Sequence, residues 1–141
     1  MAKLVLTNAY ISLAGVDISS FARSVSINTT YETIDTTKVG DTDRSVIAGL
    51  ATNSITLDLM QDFASSQLEQ LIYPTNATKK LGTSVAMEVR PQNATVSATN
   101  PKYTFNAVVT SWSSINAAVG ALATVQVTWP ISGAISKSTT P

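Results

Sequence analysis

The chain has 141 residues, with nine basic and nine acidic side chains and neither histidine nor cysteine. This length predicts a single domain that covers residues 1–141. The absence of His and Cys excludes a disulfide framework, a thiolate nucleophile and the usual zinc sites, so we expect a protein that is not an enzyme and holds no cofactor or metal. The balanced charge argues against an autonomous nucleic-acid binder, because such proteins cluster Lys and Arg.

The composition favours strands over helices. Serine and threonine together number 37, and Thr, Val and Ile together number 43. These β-branched side chains fit pleated strands better than helices. No apolar stretch approaches the roughly 20 residues that span a bilayer, and the first residues lack the apolar run of a secretion signal. We therefore expect a mainly β protein with no membrane anchor.

Alternating apolar residues predict the first strands. Residues 10–13 and 16–18 are expected to form a small hairpin that turns at Ala14 and Gly15. Residues 21–31 follow as a longer strand with one face towards a core. That predicted face holds Phe21, Arg23, Val25, Ile27, Thr29 and Tyr31.

A charged segment separates this strand from the next one, which is predicted at residues 54–60. Six of the eighteen charged side chains lie between residues 32 and 44. A structureless loop as long as residues 32–52 is uncommon in a compact domain and is usually functional. Because apolar residues are spaced through this segment, we expect a protruding hairpin that packs against another surface.

One helix is predicted after the 54–60 strand, at residues 64–73. Apolar residues recur there at helical spacing and form a single stripe. Ten residues are too few for a stable isolated helix, so the helix is expected to lie on the flank of the sheet. Its predicted packing residues are Phe63, Leu68, Leu71 and Ile72.

The remaining strands are predicted at residues 85–90, 103–112 and 123–129, and residues 132–141 are predicted to form an extended C-terminal tail. The total is about seven strands and one short helix. The predicted fold is therefore a β-sandwich or barrel with one short flanking α-helix.

Short segments along nearly the full length of the chain point to one protein family. They are residues 40–44, 48–50, 61–64, 89–91, 97–103, 120–124 and 125–130. In this order, the segments resemble the major tail tube proteins of long, non-contractile-tailed bacteriophages, particularly the short, Ser/Thr-rich type of actinobacterial phages. None of the segments is a chemical motif, so the resemblance rests on their order along the chain.

The resemblance implies a β-sandwich with a flanking helix, assembled into hexameric rings that stack into a tube. The protein would then belong to the virion tail and be assembled in the host cytoplasm. Other tail proteins, such as the tape measure and terminator proteins, would be its partners, and DNA would only pass through a channel that is not positively charged. The long loop would contact the neighbouring ring through Glu32, Asp35, Lys38, Val39, Asp41, Asp43, Arg44, Val46 and Ile47.

Two other functions remain open from the sequence. A phage capsid decoration or head-tail joining protein would share the composition and the strands, but it would form trimers or single rings instead of stacks. A pilin or adhesin-type surface domain would also be rich in Ser, Thr and strands. For such a domain we expect a secretion signal, and the sequence shows none.

Overall fold

The computed structural model describes residues 8–62, 72–73, 81–113 and 115–140. Its strands are β1 (Tyr10–Leu13), β2 (Val16–Asp17), β3 (Ala22–Asp35), β4 (Val46–Met60), β5 (Ser84–Arg90), β6 (Lys102–Val108) and β7 (Thr124–Ser138). Within these ranges they form one antiparallel sheet in the order β2-β1-β5-β6-β7-β4-β3, which is open and has β2 and β3 as edges. The predicted mainly β fold is confirmed. The predicted sandwich or barrel is not shown, since the described strands belong to one open sheet.

One face of the sheet forms the hydrophobic core. Alternate residues of the central strands point to this face, and their side chains are almost fully buried. In β4, Ile55, Leu57 and Leu59 have no exposed surface, as their alternation predicts. Trp129 of β7 is also fully buried, and its indole N–H donates a hydrogen bond to the Ser111 carbonyl 2.8 Å away. The period-two pattern of the sequence therefore becomes one continuous apolar face.

The first two strands form the predicted hairpin. Leu13 pairs directly with Val16, so the turn contains only Ala14 and Gly15. Both turn residues have positive φ, +52° and +82°. Positive φ at both central residues is the backbone of a type I′ turn, whose twist matches that of the flanking strands.

The last strand is longer than predicted, and the strand before it is shorter. β7 continues to Ser138, so much of the predicted C-terminal tail at residues 132–141 pairs with β6. Pro130 and Gly133 obscured this continuation in the sequence because both residue types usually interrupt a strand. Gly133 adopts φ +85° where the register between β6 and β7 shifts. β6 ends at Val108 instead of continuing to residue 112.

The predicted helix at residues 64–73 lies mostly outside the described residues. Phe63, Leu68 and Leu71 are among those not described, whereas Ile72 is helical and fully buried in the core. Apart from this residue, the described ranges contain one helical element, the 3-10 turn Ser19–Phe21. The predicted packing of Phe63, Leu68 and Leu71 on the sheet therefore stays a prediction.

Candidate functional site

Strands β3 and β4 extend beyond the rest of the sheet. β4 pairs with β7 only as far as Asn53, but its pairing with β3 continues to Asp35 and Val46. Residues 30–52 form this two-stranded projection, which we call the arm. No third strand within the described ranges pairs with it. The predicted hairpin is therefore present, and its loop spans residues 36–45 instead of the predicted 32–52.

Hydrogen bonds close the loop of the arm. The Thr36 amide donates to the Ser45 carbonyl (2.8 Å), and the Ser45 amide donates to the Thr37 hydroxyl (2.9 Å). The Asp35 carboxylate accepts from the Thr37 amide (2.8 Å), and hydrogen bonds from the Thr37 hydroxyl and amide lower the pKa of Asp35 below its usual value. Arg44 lies 3.5 Å from Asp35 in an exposed ion pair, which contributes little in water. The loop is therefore ordered mainly by hydrogen bonds.

The tip of the arm is a tight turn that exposes a valine. The Asp41 amide donates to the Lys38 carbonyl (3.1 Å), and the Asp41 carboxylate accepts from the Lys38 amide (2.9 Å). Gly40 has φ +97° at the third position of this turn, as in a type II turn, where glycine is favoured. Val39, at the second position, is 105% exposed. The turn thus presents an apolar side chain to solvent on a hydrogen-bonded backbone.

Exposed apolar side chains lie on both faces of the arm. Ile34 pairs directly with Ile47 on one face, and Tyr31 pairs with Ala51 on the other. Large apolar residues of the two arm strands are exposed to the following fractions: Tyr31 63%, Ile34 42%, Val46 55%, Ile47 55% and Leu50 80%. Exposed apolar side chains grouped in this way are typical of surfaces that contact another molecule.

The nine residues predicted to contact a neighbouring ring all lie on the arm and are exposed. Their contact with another subunit stays a prediction. The sequence pattern placed Arg23, Thr29 and Tyr31 on the same face as Val25 and Ile27, with the apolar residues of that face towards a core. All three are exposed, so the expected burial was wrong for Tyr31. Alternation shows which residues share a face, but it does not show whether another element covers that face. After its first residue, β3 has two partly buried residues, Val25 and Ile27, and the pattern predicted both.

The two edges of the sheet are covered differently. The outer edge of β3 is unpaired along all 14 residues within the described chain. At the other edge, the Ile18 amide donates to the Ile11 carbonyl (2.9 Å), and the Ile11 amide donates to the Ser19 hydroxyl (2.8 Å). The chain therefore caps β1 with its own residues. A long uncovered edge such as that of β3 is a template for pairing with another strand.

The face of β3, β4 and β7 opposite the core is polar and almost uncharged. Direct cross-strand neighbours form rows such as Ser26, Thr56 and Thr128, and the two threonine hydroxyls are 3.1 Å apart. We call the following nine residues of this face the polar face: Ser24, Ser26, Asn28, Ser54, Thr56, Asp58, Gln126, Thr128 and Pro130. It holds one carboxylate and no basic side chain, so it offers no electrostatic attraction to phosphate.

An apolar cavity of about 460 Å³ lies between β3 and the β5–β6 pair, with Val25, Ile27, Val89 and Tyr103 in its lining. Among the described residues, no group of three or more His, Cys, Asp or Glu side chains is placed to hold a metal ion. The same residues form no helix that is long and apolar enough to cross a membrane.

No protein-family model matches the chain, and no curated protein matches it.

Proposed function

We propose that the protein is a structural virion subunit that self-assembles into stacked, hexameric rings and so forms the tail tube of a long, non-contractile-tailed bacteriophage. The arm is the observation that carries this proposal. Its loop is ordered, yet its apolar side chains face water on both sides and at the tip. Burying one such side chain contributes about 1.5 to 3 kcal/mol, and a neighbouring subunit that covers the arm gains this free energy.

Stacking of rings is the role we assign to the arm. It projects beyond the sheet, so it reaches outside the body of its own subunit. Charged side chains lie beside its apolar ones, including Glu32, Lys38 and Asp43. Apolar contacts would hold two rings together, while these charges, at the rim of the contact, would pair with charges elsewhere on the facing ring and select one register, because complementary charge mainly provides specificity.

Lateral contacts within a ring are the role we assign to the open edge of β3. Pairing of this edge with a neighbouring subunit satisfies backbone groups that the described chain leaves unpaired. Repetition of the same heterologous contact around a rotation axis closes a ring. Six sheets joined in this way would form a barrel around a channel. Each subunit would be a β-sandwich with a helix on its flank.

The polar face suits the lining of such a channel. Its hydroxyl and amide groups, with Asp58 as their one charge, do not attract the phosphates of DNA. DNA in transit would therefore meet a surface to which it does not adhere. In this proposal the protein resides in the virion tail after assembly in the host cytoplasm, and its other partners are further tail proteins such as the tape measure and terminator proteins.

Electron microscopy of the purified chain over a range of concentrations tests the proposal. We expect rings with an open channel that stack into tubes at high concentration. Monomers or trimers at every concentration would contradict it, and trimers would favour a capsid decoration protein instead. Single rings that never stack would favour a head-tail joining protein.

Two variants test the role of the arm in the same experiment. In the first, Asn-Gly replaces residues 32–50 and joins the directly opposite pair Tyr31 and Ala51 through a two-residue turn. The second keeps the length of the arm but replaces its large exposed apolar residues with Thr, which preserves strand propensity. We expect both to fold and neither to stack, whereas the exposed control Gln92→Ala stacks normally. Normal tubes from both arm variants would contradict the assigned role.

A further inference from the structure

A second group of exposed apolar side chains lies in the segment between β6 and β7. We call the described residues 111–113 and 115–123 the connection. Ile115 is 79% exposed, Val119 is 107% exposed and Leu122 is 62% exposed. The connection contains no charged residue. It is therefore a neutral, apolar surface that the described part of the fold leaves uncovered.

The connection and the arm lie at opposite ends of β4. The Gln61 amide, just after β4, donates to the Ala123 carbonyl (2.9 Å). The Gln61 side chain donates to the Ser113 carbonyl (2.6 Å) and accepts from the Asn116 amide (3.1 Å), which fixes the connection beside this end of the strand. The arm loop precedes the other end, at Val46. Fifteen strand residues span roughly 45 to 50 Å, so the two surfaces of one subunit cannot cover each other.

The tip of the connection is built like the tip of the arm. The Ala121 amide donates to the Ala118 carbonyl (3.1 Å), and Gly120 has φ +83° at the third position of the turn. Val119 takes the second position, as Val39 does at the tip of the arm, and both valines are fully exposed. Each end of the molecule therefore presents an apolar side chain on a hydrogen-bonded Val-Gly turn.

The combined apolar area is close to what a specific contact between two subunits requires. One face of the arm with its tip (Ile34, Ile47 and Val39) and the large apolar residues of the connection together present roughly 700 Å² of apolar side chain. Because an ordinary interface is about 57% non-polar, this corresponds to about 1,200 Å² in total, the lower end of specific interfaces. The Asp35 and Asp41 carboxylates already accept hydrogen bonds within the arm, which lowers the cost of bringing these two groups against a neutral surface.

We propose that the arm of one subunit docks on the connection of a second copy of this chain, in a head-to-tail contact. The contact joins two different surfaces at opposite ends of the molecule, so it repeats without closing and generates an axial stack. This inference deepens the proposed function, on which it rests for the presence of rings, by naming the surface that receives the arm. Val39 and Val119 lie at the centre of the contact.

Cysteine cross-linking tests this pairing in the full-length protein, because the chain contains no cysteine of its own. The single substitutions Val39→Cys and Val119→Cys are made in separate proteins, which are mixed, assembled and mildly oxidised. We expect a disulfide-linked dimer at twice the 14.8 kDa chain mass, at least ten times more abundant than in a mixture of V39C with the exposed strand control Gln126→Cys. Dominant links between two V39C chains would overturn the proposal in favour of arm-to-arm contact.

Microscopy of the same samples separates the two proposals. Stacked rings without the V39C–V119C link would overturn the docking surface and leave the tail tube proposal intact. Linked filaments without rings would support the docking surface and contradict the tail tube. Failure to assemble at any concentration would contradict both.

Complementation between blocked variants provides a second measurement. Ile47→Asp places a charge in the apolar surface of the arm and leaves the connection unchanged. Val119→Asp places a charge in the apolar surface of the connection and leaves the arm unchanged. We expect neither variant to stack alone, and we expect their mixture to form short stacks with a single functional junction. Normal stacking of V119D alone would overturn the assignment of the connection.

Discussion

The two halves of β4 place the same kinds of residue in opposite environments. In the inner half, Leu57 and Leu59 have no exposed surface, whereas in the outer half Ile47 is 55% exposed and Leu50 is 80% exposed. Both halves pair with β3. They differ because β7 covers the second side of the inner half only, as far as Asn53. The extent of β7, and not the composition of β4, thus separates the apolar residues that are buried in the core from those that remain available to a partner.

The end of the shared sheet is marked by a single irregularity in β7. Gly133 has φ +85°, and its carbonyl accepts a hydrogen bond from the Asn53 side chain (3.0 Å). Beyond this point β7 continues beside β6, while β4 continues beside β3. Since β7 and β4 separate here, the arm emerges from the sheet as a two-stranded hairpin.

Truncating one leucine in each half of β4 gives the largest expected difference. Leu57→Ala should lower the free energy of unfolding by about 2 to 5 kcal/mol, because it leaves a cavity in the core. Leu50→Ala should change it by no more than about 0.5 kcal/mol, as is usual for an exposed site. Urea denaturation of dilute, unassembled protein measures both. Equal losses would mean that the arm is packed within its own subunit.

A charge on the arm should separate folding from assembly. Ile47→Asp places a carboxylate in a surface that we expect to be buried only between subunits, where an unpaired charge is strongly unfavourable. Sedimentation velocity should show loss of the assembled species, while the unfolding midpoint of the dilute protein changes little. Gln92→Asp adds the same charge at an exposed site in the 91–101 loop and should assemble as the parent does. Unchanged assembly of the Ile47 variant would show that the arm makes no contact.

The glycine at the tip of the arm should have a smaller, local effect. Gly40→Ala forces an L side chain to adopt φ +97°, which costs about 1 kcal/mol. Hydrogen exchange of the Asp41 amide, which is bonded to the Lys38 carbonyl, should accelerate by roughly five-fold. Amides of the core strands should be unaffected. An equal change in the core would show that the arm and the sheet unfold as one unit.

The smallest effect concerns pH. Hydrogen bonds from Thr37 lower the pKa of Asp35 below its ordinary value of 3.8, so the ionised carboxylate stabilises the folded loop. This contribution is fully present above pH 3.8 and is lost as the pH falls through the lowered pKa. The Thr37 amide resonance in an NMR titration should therefore shift below that pH, and Asp35→Asn should abolish the transition. A midpoint above the ordinary pKa would contradict the assigned hydrogen bonds.

The sequence predicted those parts of the fold that depend on local patterns. Ile55, Leu57 and Leu59 were placed correctly in the core by period-two alternation, and the Ala14-Gly15 turn by its residues and position. The charged segment was identified as a protruding hairpin because a long structureless loop is uncommon. Its nine candidate contact residues followed from the family resemblance, and all lie exposed on the arm.

The remaining features depend on contacts between distant parts of the chain. Tyr31 alternates with the core residues of β3, but no pattern in the sequence shows that β7 leaves β4 before this point. The continuation of β7 through Pro130 and Gly133 required knowledge of its pairing with β6. The match between the tips at Val39 and Val119 likewise emerged only when both turns and both exposures were known.

Helical reconstruction of the assembled protein by electron cryomicroscopy tests the central claim most directly. We predict stacked hexameric rings in which the arm crosses to the adjacent ring and Val39 contacts Val119 of a subunit there. The polar face that contains Thr56 and Thr128 should line the channel. Subunits whose arms contact only their own ring, or a protein that remains monomeric under every condition, would contradict the account.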